Sequence, residues 1–139
     1  MFKSRKQIGE WVELQFMARA SANGLTVSKP WGDSARYDFA VESEGKFQRV
    51  QVKGSSSRDG GSYVCNVLWS APEGKSRKYS KDEVDFFAIF LIPEEAWYII
   101  PVGELKQARS QFYLNPRNAK SKYFRYLEAW GRMKKVASG

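Results

Sequence analysis

Two alternating stretches separated by a short glycine-containing turn constrain this chain more than any other feature. Residues 37–41 (YDFAV) and 47–53 (FQRVQVK) flank the sequence SEGK at residues 43–46. Alternation of apolar and polar residues has the period of a strand, and a short turn with glycine joins antiparallel neighbours. The sequence therefore predicts a β-hairpin in the first half of the chain.

The second strand of this hairpin has two chemically different faces. Val50 and Val52 lie on one face, and Gln51 and Lys53 lie on the other. A solvated surface strand would show the same alternation, so Gln-x-Lys alone is a weak indication of function. Asp38 begins the preceding strand, and side chains on paired strands come within about 5 Å directly and about 7–8 Å diagonally. The three polar side chains can therefore meet around one ion.

These residue types suit a hard divalent cation. Such a cation takes oxygen ligands, lowers the pKa of water and neutralises charge on a phosphate. Asp38 would supply a carboxylate, Gln51 an amide oxygen and Val52 its backbone carbonyl. Protonated Lys53 cannot be a ligand, but it would orient the attacking water or stabilise developing negative charge. The group fits the hydrolysis of a phosphodiester bond.

The residue types that are missing narrow the chemistry further. The chain has no histidine and one cysteine, Cys65. Disulfides and Cys/His zinc sites within one chain are therefore excluded, as are histidine-based acid–base and nucleophilic catalysis. Cys65 is predicted to be a buried strand residue that behaves as a small hydrophobe.

The charge of the chain indicates a polyanionic partner. The 139 residues carry a formal net charge of +8, and residues 104–139 hold nine basic and two acidic side chains. Aromatic residues are interleaved with these basic residues, which suits a nucleic-acid surface or a helix that packs while its basic face reaches out, and of the two we favour nucleic acid. No apolar run approaches the roughly 18 residues of a membrane span, so we expect no membrane insertion and a cytoplasmic location.

Candidate DNA contacts lie in two loops and in the basic C-terminal segment. Ordinary solvated loops would carry the same residue types, so this assignment depends on the overall charge. The predicted contact residues are Ser55, Ser56, Ser57, Arg58, Lys75, Arg77, Lys78, Arg117, Lys120, Lys122 and Arg125.

The order of predicted elements is one helix, about five strands and a further helix. Apolar residues at helical spacing predict the first helix over residues 3–23, and Asn23-Gly24 is a usual helix end. The C-terminal region is predicted to be helical and to offer an aromatic assembly surface. This order indicates a single α/β domain over residues 1–139 with a mixed sheet. After the hairpin, the remaining main strands are predicted at residues 63–70, 86–92 and 97–102.

The ordered set of motifs resembles the PD-(D/E)xK nuclease superfamily. Asp38, Gln51 and Lys53 match its signature with glutamine in the Asp/Glu position, and Tyr37 stands where the superfamily usually has proline. Upstream, Gly9-x-x-x-Glu13 is similar to the first helix of the superfamily, which carries an acidic metal-site residue. The combination is most similar to the group I intron-associated homing endonucleases, some of which also carry Gln-x-Lys.

This resemblance implies a restriction-endonuclease-like core, in which a mixed sheet is flanked by helices. It implies a metal-dependent DNA endonuclease that uses Mg²⁺, with Mn²⁺ as a substitute, and that acts on double-stranded DNA as a homodimer or homotetramer. It also adds Glu13 to Asp38, Gln51, Val52 and Lys53 as a site residue and metal ligand, and it makes Gln51 a working substitute for a carboxylate.

Other carboxylates have simpler explanations. Glu10 also lies on the first helix, but farther from its apolar stripe than Glu13. Asp33 stands in a Gly-Asp-Ser loop, where turn chemistry accounts for an aspartate. Asp85 opens an apolar strand and is predicted to be structural, either as a cap or as the partner of a basic group. Asp38 at the start of an apolar strand is harder to explain without a functional role.

Three other functions remain open at this point. A structure-selective nuclease similar to the Holliday-junction resolvases would share the helix and the metal motif. A DNA-binding module that has lost cleavage would explain Gln51 directly. A ribosomal or membrane-surface protein would explain the charge but not the placement of Asp38, Gln51 and Lys53.

Overall fold

A computed structural model of the chain describes residues 1–70, 76–105 and 110–134. The first helix, α1 (Arg5–Ala22), begins after Ser4, whose hydroxyl accepts a hydrogen bond of 3.1 Å from the Gln7 amide. It ends at Ala22, and its C-cap residue, Asn23, is followed by Gly24 at a positive φ of 84°. The helix predicted over residues 3–23 is therefore confirmed, with serine and glycine as its end signals.

The described residues form ten strands, several of them very short. The predicted hairpin is confirmed, although its first strand begins two residues later than expected. The strands are β1 (Thr26–Ser28), β2 (Phe39–Ser43), β3 (Lys46–Ser55), β4 (Arg58–Asp59), β5 (Ser62–Asn66), β6 (Trp69–Ser70), β7 (Ser76–Arg77), β8 (Phe86–Leu91), β9 (Ala96–Pro101) and β10 (Gln111–Leu114).

A five-stranded sheet with the order β1-β2-β3-β8-β9 forms the centre of the fold. The pairs β1/β2, β2/β3 and β8/β9 are antiparallel, whereas β3 and β8 run parallel. The predicted mixed sheet is thus confirmed, and its one parallel pair needs the long connection that runs from β3 to β8. Part of this connection, together with β10, forms a second sheet in the order β10-β5-β4.

The central sheet has a separate hydrophobic core on each face. On one face, Val12, Phe16 and Ala20 of α1 pack on the sheet beside Phe39 and Trp97. On the other face, residues of the second sheet and of the C-terminal segment cover β8 and β9. All six residues of β8 are buried, as expected for a strand that is covered on both sides.

The strand predicted over residues 63–70 is divided in two. The side-chain oxygen of Asn66 accepts a hydrogen bond of 2.9 Å from the Leu68 amide, so the asparagine turns the chain after β5. Cys65 is buried within β5, which confirms its predicted role as a small strand hydrophobe.

The predicted C-terminal helix is wrong for the described residues. Residues 111–134 form β10 and two short 3-10 turns, Phe124–Tyr126 and Trp130–Met133. Glu128 explains part of this, because its amide donates to the Trp97 carbonyl at 2.7 Å and its carboxylate accepts from the Trp97 amide at 2.9 Å. The segment therefore pairs with the free edge of β9 instead of forming a helix.

The predicted aromatic assembly surface is also corrected, because most of its side chains belong to the chain's own core. Tyr123 and Tyr126 are buried in the cluster over β8 and β9, and Trp130 is buried on the α1 side. Tyr113 remains exposed.

Candidate active site

Asp38 lies where β2 would otherwise continue along β3. Its amide donates to the Val50 carbonyl at 2.9 Å, and its carboxylate oxygen Oδ2 accepts from the Val52 amide at 2.8 Å. The side chain thus replaces the next backbone bond of the hairpin ladder. Within the described part of the chain, the other carboxylate oxygen, Oδ1, accepts no hydrogen bond.

The Val52 carbonyl faces the same open edge. The Val50 carbonyl points toward β2, where it accepts from Asp38. Backbone groups of residues two apart in a strand point to the same side, so the Val52 carbonyl also points toward β2. Because β2 has no residue paired with Val52, this oxygen lies beside the Asp38 carboxylate without a ladder partner.

Gln51 and Lys53 share the opposite side-chain face from Val52, as predicted. In the parallel pair they stand beside Phe87 and Ile89 of β8, and both side chains are half-buried. The ladder ends at the pair of Phe39 and Val50, and the bonds of Asp38 to the Val50 carbonyl and the Val52 amide then place it alongside Gln51. No hydrogen bond or ion pair joins the side chain of Gln51 or of Lys53 to another residue of the described ranges.

Glu13 reaches this edge from α1. Its carboxylate oxygen Oε1 lies 2.8 Å from the Lys29 ammonium nitrogen, and the side chain is half-buried. Glu13 is also near enough to Asp38 to raise the pKa of that carboxyl group. Glu10 is exposed, whereas Glu13 is half-buried.

The pKa of Asp38 is raised from its ordinary value. Burial is the largest cause and the Glu13 charge adds to it, while the Val52 amide, Lys53 and Lys29 act in the opposite direction. The ionised carboxylate is therefore held in an environment that penalises its charge, and a bound cation would relieve that penalty. Burial also raises the pKa of Tyr79 to about 12, and the Asp38 charge contributes to that shift.

The donor set of this edge fits one hard cation. It offers the Asp38 and Glu13 carboxylates, the Gln51 amide oxygen and the Val52 carbonyl, all of which are oxygen ligands. The described residues contain no group of three or more His, Cys, Asp and Glu side chains that could hold a metal ion. Neutral oxygens, from Gln51, from Val52 or from water, would therefore have to complete the shell of a cation held by the two carboxylates.

The other aspartates behave as the sequence predicts. Asp85 accepts from the Arg49 amide at 2.7 Å and from the Arg49 Nε at 3.1 Å, which confirms that it pairs with a basic residue. Asp33 is exposed in its loop.

The residues predicted to contact DNA differ in their exposure to solvent. Ser55 is buried and its hydroxyl donates to the Val64 carbonyl at 2.6 Å, whereas Ser56 and Ser57 are exposed. Lys75 and the Arg77 side chain lie outside the described residues, and the exposed residues among the remainder are Arg58, Lys78, Arg117, Lys120, Lys122 and Arg125.

Four of these basic side chains have partners, one of them Lys122, whose ammonium nitrogen lies 5.3 Å from the centre of the Tyr123 ring. The Arg58 guanidinium lies 4.6 Å from the centre of the Tyr63 ring. Arg117 pairs with Glu94 at 3.3 Å, and Arg125 pairs with Glu104 at 3.4 Å. Both of these ion pairs are well exposed on the arginine side, so they compete weakly with a phosphate.

Three residues near the site were missed by the sequence analysis. Lys29 is paired with Glu13, Tyr79 lies near Asp38, and Gly54 allows α1 to approach β3. Lys29 stands nine residues before Asp38 in a loop with proline and glycine, and no local pattern marks it. Each of them depends on contacts between elements that are distant in sequence.

The sequence profile of one protein family matches residues 3–133, and its description is PD-(D/E)XK endonuclease. The chain belongs to this family. The predicted metal-dependent endonuclease is thereby confirmed, since members of the family generally use divalent metal ions. No functionally curated protein gives a significant match to the chain.

Solved structures show the same architecture. A bacterial homing endonuclease, I-Ssp6803I, is similar with a TM-score of 0.79 and 29% sequence identity, covering 93% of this chain and 92% of that one. Hjc, a Holliday junction resolvase from the archaeal hyperthermophile Archaeoglobus fulgidus, is similar with a TM-score of 0.56 and 17% identity, covering 93% and 98%. The predicted restriction-endonuclease-like core is confirmed, and the resolvase likeness concerns the fold alone.

Within the described ranges, no helix of this nuclease-family chain has both the length and the apolar character that crossing a bilayer requires.

Gly54 offers a test of how α1 is positioned. A Cβ atom at residue 54 would lie 2.9 Å from Cγ2 of Val12, which is the neighbour of Glu13. Because Val12 is β-branched and buried, we expect Gly54→Ala to lower the free energy of unfolding by about 1–3 kcal/mol. We also expect slower cleavage, since the strain displaces the turn of α1 that carries Glu13.

Chemical denaturation and cleavage rates measure the two effects. Gly103→Ala is the matched control, because a Cβ atom there meets nothing within 4 Å. The double variant Gly54→Ala/Val12→Ala should recover part of the lost stability. Unchanged stability in Gly54→Ala would show that α1 does not depend on this close approach.

Proposed function

We propose that this chain is a homing-type DNA endonuclease that hydrolyses phosphodiester bonds with Mg²⁺, for which Mn²⁺ can substitute. Its active site would consist of Glu13, Asp38, Gln51, Val52 and Lys53. The observation that carries the proposal is the hydrogen bond from the Val52 amide to Asp38, which ties this carboxylate to the Gln-x-Lys strand. The charges of Glu13 and Lys53 both act on the same carboxyl group.

The oxygen atoms of Asp38, Glu13, Gln51 and Val52 are the proposed metal ligands. A divalent cation supplies Lewis acidity there, which makes water more acidic and neutralises charge on the phosphate. The protein's own contribution is orientation, because the bond from Val52 holds one oxygen of Asp38 and leaves the other free. Gln51 contributes an oxygen without adding a third negative charge.

Lys53 is proposed to act on the reacting atoms. Its ammonium group lies on the Gln51 face of β3 and is near enough to Asp38 to lower the pKa of that carboxyl group. From this position the ammonium group would orient the attacking water and stabilise negative charge on the phosphate. Lysine is a compact donor with no acceptor, which suits this role.

Lys53→Met is expected to reduce cleavage by about 10²–10³-fold at every pH tested, the magnitude typical of losing one charge-stabilising donor. Cleavage rates from pH 6 to 9 measure this effect. The matched control is Lys46→Met at the exposed start of the same strand, seven residues away and therefore about 23 Å distant at about 3.3 Å per residue. A folded Lys53→Met variant with parental activity would make Lys53 an ordinary surface lysine.

Double-stranded DNA is the proposed substrate, and the basic surface is its proposed binding site. Phosphate contacts position a protein on DNA, and base contacts specify the sequence. The net charge of +8 and the exposed side chains of Arg58, Lys78, Lys120 and Lys122 support this assignment.

Neutralising the basic C-terminal segment tests this surface. The triple variant Lys120→Gln/Lys122→Gln/Arg125→Gln should bind duplex DNA more weakly and with a flatter salt dependence. On a log–log plot the slope should fall by about 0.9 for each phosphate that the variant no longer neutralises. Binding titrations from low to moderate salt measure the slope, with Lys46→Gln as the single-charge control.

An unchanged slope would place the DNA surface elsewhere, around Ser56, Ser57, Arg58 and Lys78. The arginine in the triple variant pairs with Glu104, so thermal unfolding must show that the variant remains folded.

A homodimer or homotetramer is the proposed assembly. Residues 1–139 would act as one nuclease domain in each copy, and the proposed location is the cytoplasm. A single metal site cuts one strand, so cutting a duplex needs at least two copies or two successive events. Closed symmetric assemblies are the usual way to provide two copies.

A randomised duplex library tests the proposed activity directly. The full chain is incubated with the library in Mg²⁺, in Ca²⁺ and with a chelator, and the cut ends are sequenced. We expect cleavage in Mg²⁺ at a restricted set of sequences, with little in Ca²⁺, whose coordination is larger and more flexible. Binding without any cleavage would instead favour a DNA-binding module that has lost activity.

The alternative function, a DNA-binding module that has lost cleavage, has one observation in its favour. The described residues lack a group of three acidic metal ligands, which is what a degenerate site would also show. A four-way junction included beside the library separates the homing type from a structure-selective nuclease, because the latter would cut the junction and leave the linear duplexes intact.

A further inference from the structure

Lys29 occupies the edge of the proposed metal site. Its ammonium nitrogen lies 2.8 Å from Oε1 of Glu13 and 4.7 Å from the centre of the Phe39 ring. Ser28 pairs with Ala40, so the register of β1 and β2 brings Lys29 opposite Phe39, the residue that follows Asp38. The lysine charge is also felt by Asp38 itself.

Two features hold Lys29 at this position. The Phe39 ring is completely buried and offers its face to the ammonium group, which is a favourable cation–π contact. Pro30 follows directly, and a residue before proline is restricted to extended backbone. The lysine is therefore placed by its strand register, its ring contact and its neighbour in sequence.

The Lys29–Glu13 contact conflicts with a divalent cation on the same carboxylate. Glu13 is a proposed ligand, and its Oε1 already accepts from a full positive charge. Two cations on one carboxylate repel each other, and the repulsion is stronger at a partly buried site than in water. The Lys29 side chain is 58% exposed and the Glu13 side chain 32%, so solvent screens part of this repulsion.

We propose that Lys29 is a resident counter-ion of the metal site, which neutralises Glu13 in the metal-free protein and must leave this carboxylate when a divalent cation binds. This inference rests on the proposed function, because it takes Glu13 and Asp38 as metal ligands. Lys29 then sets the metal concentration at which the site fills. Its charge also offsets part of the repulsion between Glu13 and Asp38 in the metal-free protein.

Removing the lysine charge should therefore tighten metal binding. Lys29→Met keeps an apolar stem over Phe39 but cannot pair with Glu13. Exposed or half-exposed ion pairs contribute up to about 1 kcal/mol, so we expect roughly fivefold tighter binding of the cation. A lysine with only a structural role would not change metal affinity in this direction.

Calorimetric titration of the full chain with Mn²⁺, without DNA, provides the measurement. It compares the parent with Lys29→Met, Asp38→Ala, Glu13→Gln and the double variant Glu13→Gln/Lys29→Met, and Lys46→Met serves as the remote lysine control. Lys29→Met should tighten Mn²⁺ binding more in the parent background than in Glu13→Gln, where the carboxylate charge that Lys29 neutralises is absent and only the effect of the lysine charge on Asp38 remains. Thermal unfolding confirms that each variant is folded.

The possible results distinguish the counter-ion role of Lys29 from the proposed metal site itself. Unchanged or weaker binding in Lys29→Met, together with abolished binding in Asp38→Ala, would overturn the counter-ion role and leave the proposed site intact. The same tightening in both backgrounds would overturn it as well, since the effect would then not act through Glu13. Parental Mn²⁺ affinity in Asp38→Ala would overturn the proposed metal site itself.

Discussion

Asp38→Ala is expected to reduce metal-dependent cleavage by roughly three orders of magnitude or more, while DNA affinity stays within a few-fold of the parent. The missing carboxylate is a proposed ligand of a cation whose charge stabilisation is worth several kcal/mol. DNA affinity should persist because the proposed phosphate contacts lie on other side chains. Cleavage rates and binding titrations on the same duplex measure both effects.

The variant also removes a structural bond, so a second substitution is needed. Asp38 Oδ2 accepts from the Val52 amide, and leaving that buried amide without a partner would cost about 1–3 kcal/mol of stability. Asp38→Asn keeps an oxygen acceptor for Val52 and removes only the charge. If the charge is what matters, Asp38→Asn should be folded and almost as inactive as Asp38→Ala.

Asp33 offers the matched control for Asp38. It stands five residues earlier, in an exposed loop where an aspartate has a simpler explanation as a turn residue. Asp33→Ala should cleave at the parental rate. Cleavage by a folded Asp38→Asn within a few-fold of the parent would contradict the assignment, and loss of activity in Asp33→Ala alone would move the site to that loop.

The hairpin and its polar face could be predicted because both are local. Residues 37–53 alternate with the period of a strand and contain a tight turn, so the pairing of β2 and β3 follows from the sequence. That register places Asp38 opposite Gln51 without any knowledge of the rest of the chain. The buried face of α1 could be predicted for the same reason, since its apolar spacing is helical.

The C-terminal segment could not be predicted because its conformation is set by distant partners. Glu128 binds the backbone of Trp97 and also accepts from Arg19 at 2.9 Å, a residue on α1 that is more than 100 positions away. The backbone φ of Glu128 is 51°, a value that is unfavourable in a helix, and these contacts stabilise that conformation. A basic segment with interleaved aromatics is equally compatible with a helix and with an edge segment.

The site residues that the sequence analysis missed share this long-range character. Lys29 meets Glu13 only because β1 pairs with β2 while α1 crosses the same sheet. The role of Gly54 becomes visible only when Val12 is placed against β3. Single-sequence patterns describe the strand that carries Gln51 and Lys53, but not the neighbours that surround it.

Gln51 is the residue on which the proposed chemistry depends most. The family signature has aspartate or glutamate at this position, so glutamine is either a working ligand or the mark of an activity that has disappeared. A ligand needs only the side-chain oxygen, and Glu13 and Asp38 already provide two negative charges. Gln51→Leu has similar size but no acceptor, so it should abolish cleavage without unfolding the protein.

Gln51→Glu should strengthen the binding of the cation. An additional carboxylate at the half-buried position raises the charge of the donor set, so metal should bind more tightly and cleavage should persist at least in part. A purely structural glutamine predicts the reverse: leucine would be tolerated in catalysis, and glutamate would destabilise the fold as a poorly solvated charge.

The central claim, that glutamine works as a metal ligand in this nuclease site, is tested most directly by Mn²⁺ affinity. Calorimetric titrations of the parent, Gln51→Leu and Gln51→Glu, each shown to be folded, give the three values side by side. We predict the weakest binding in Gln51→Leu and the tightest in Gln51→Glu. Parental Mn²⁺ affinity in Gln51→Leu, together with an unfolded Gln51→Glu, would contradict the claim.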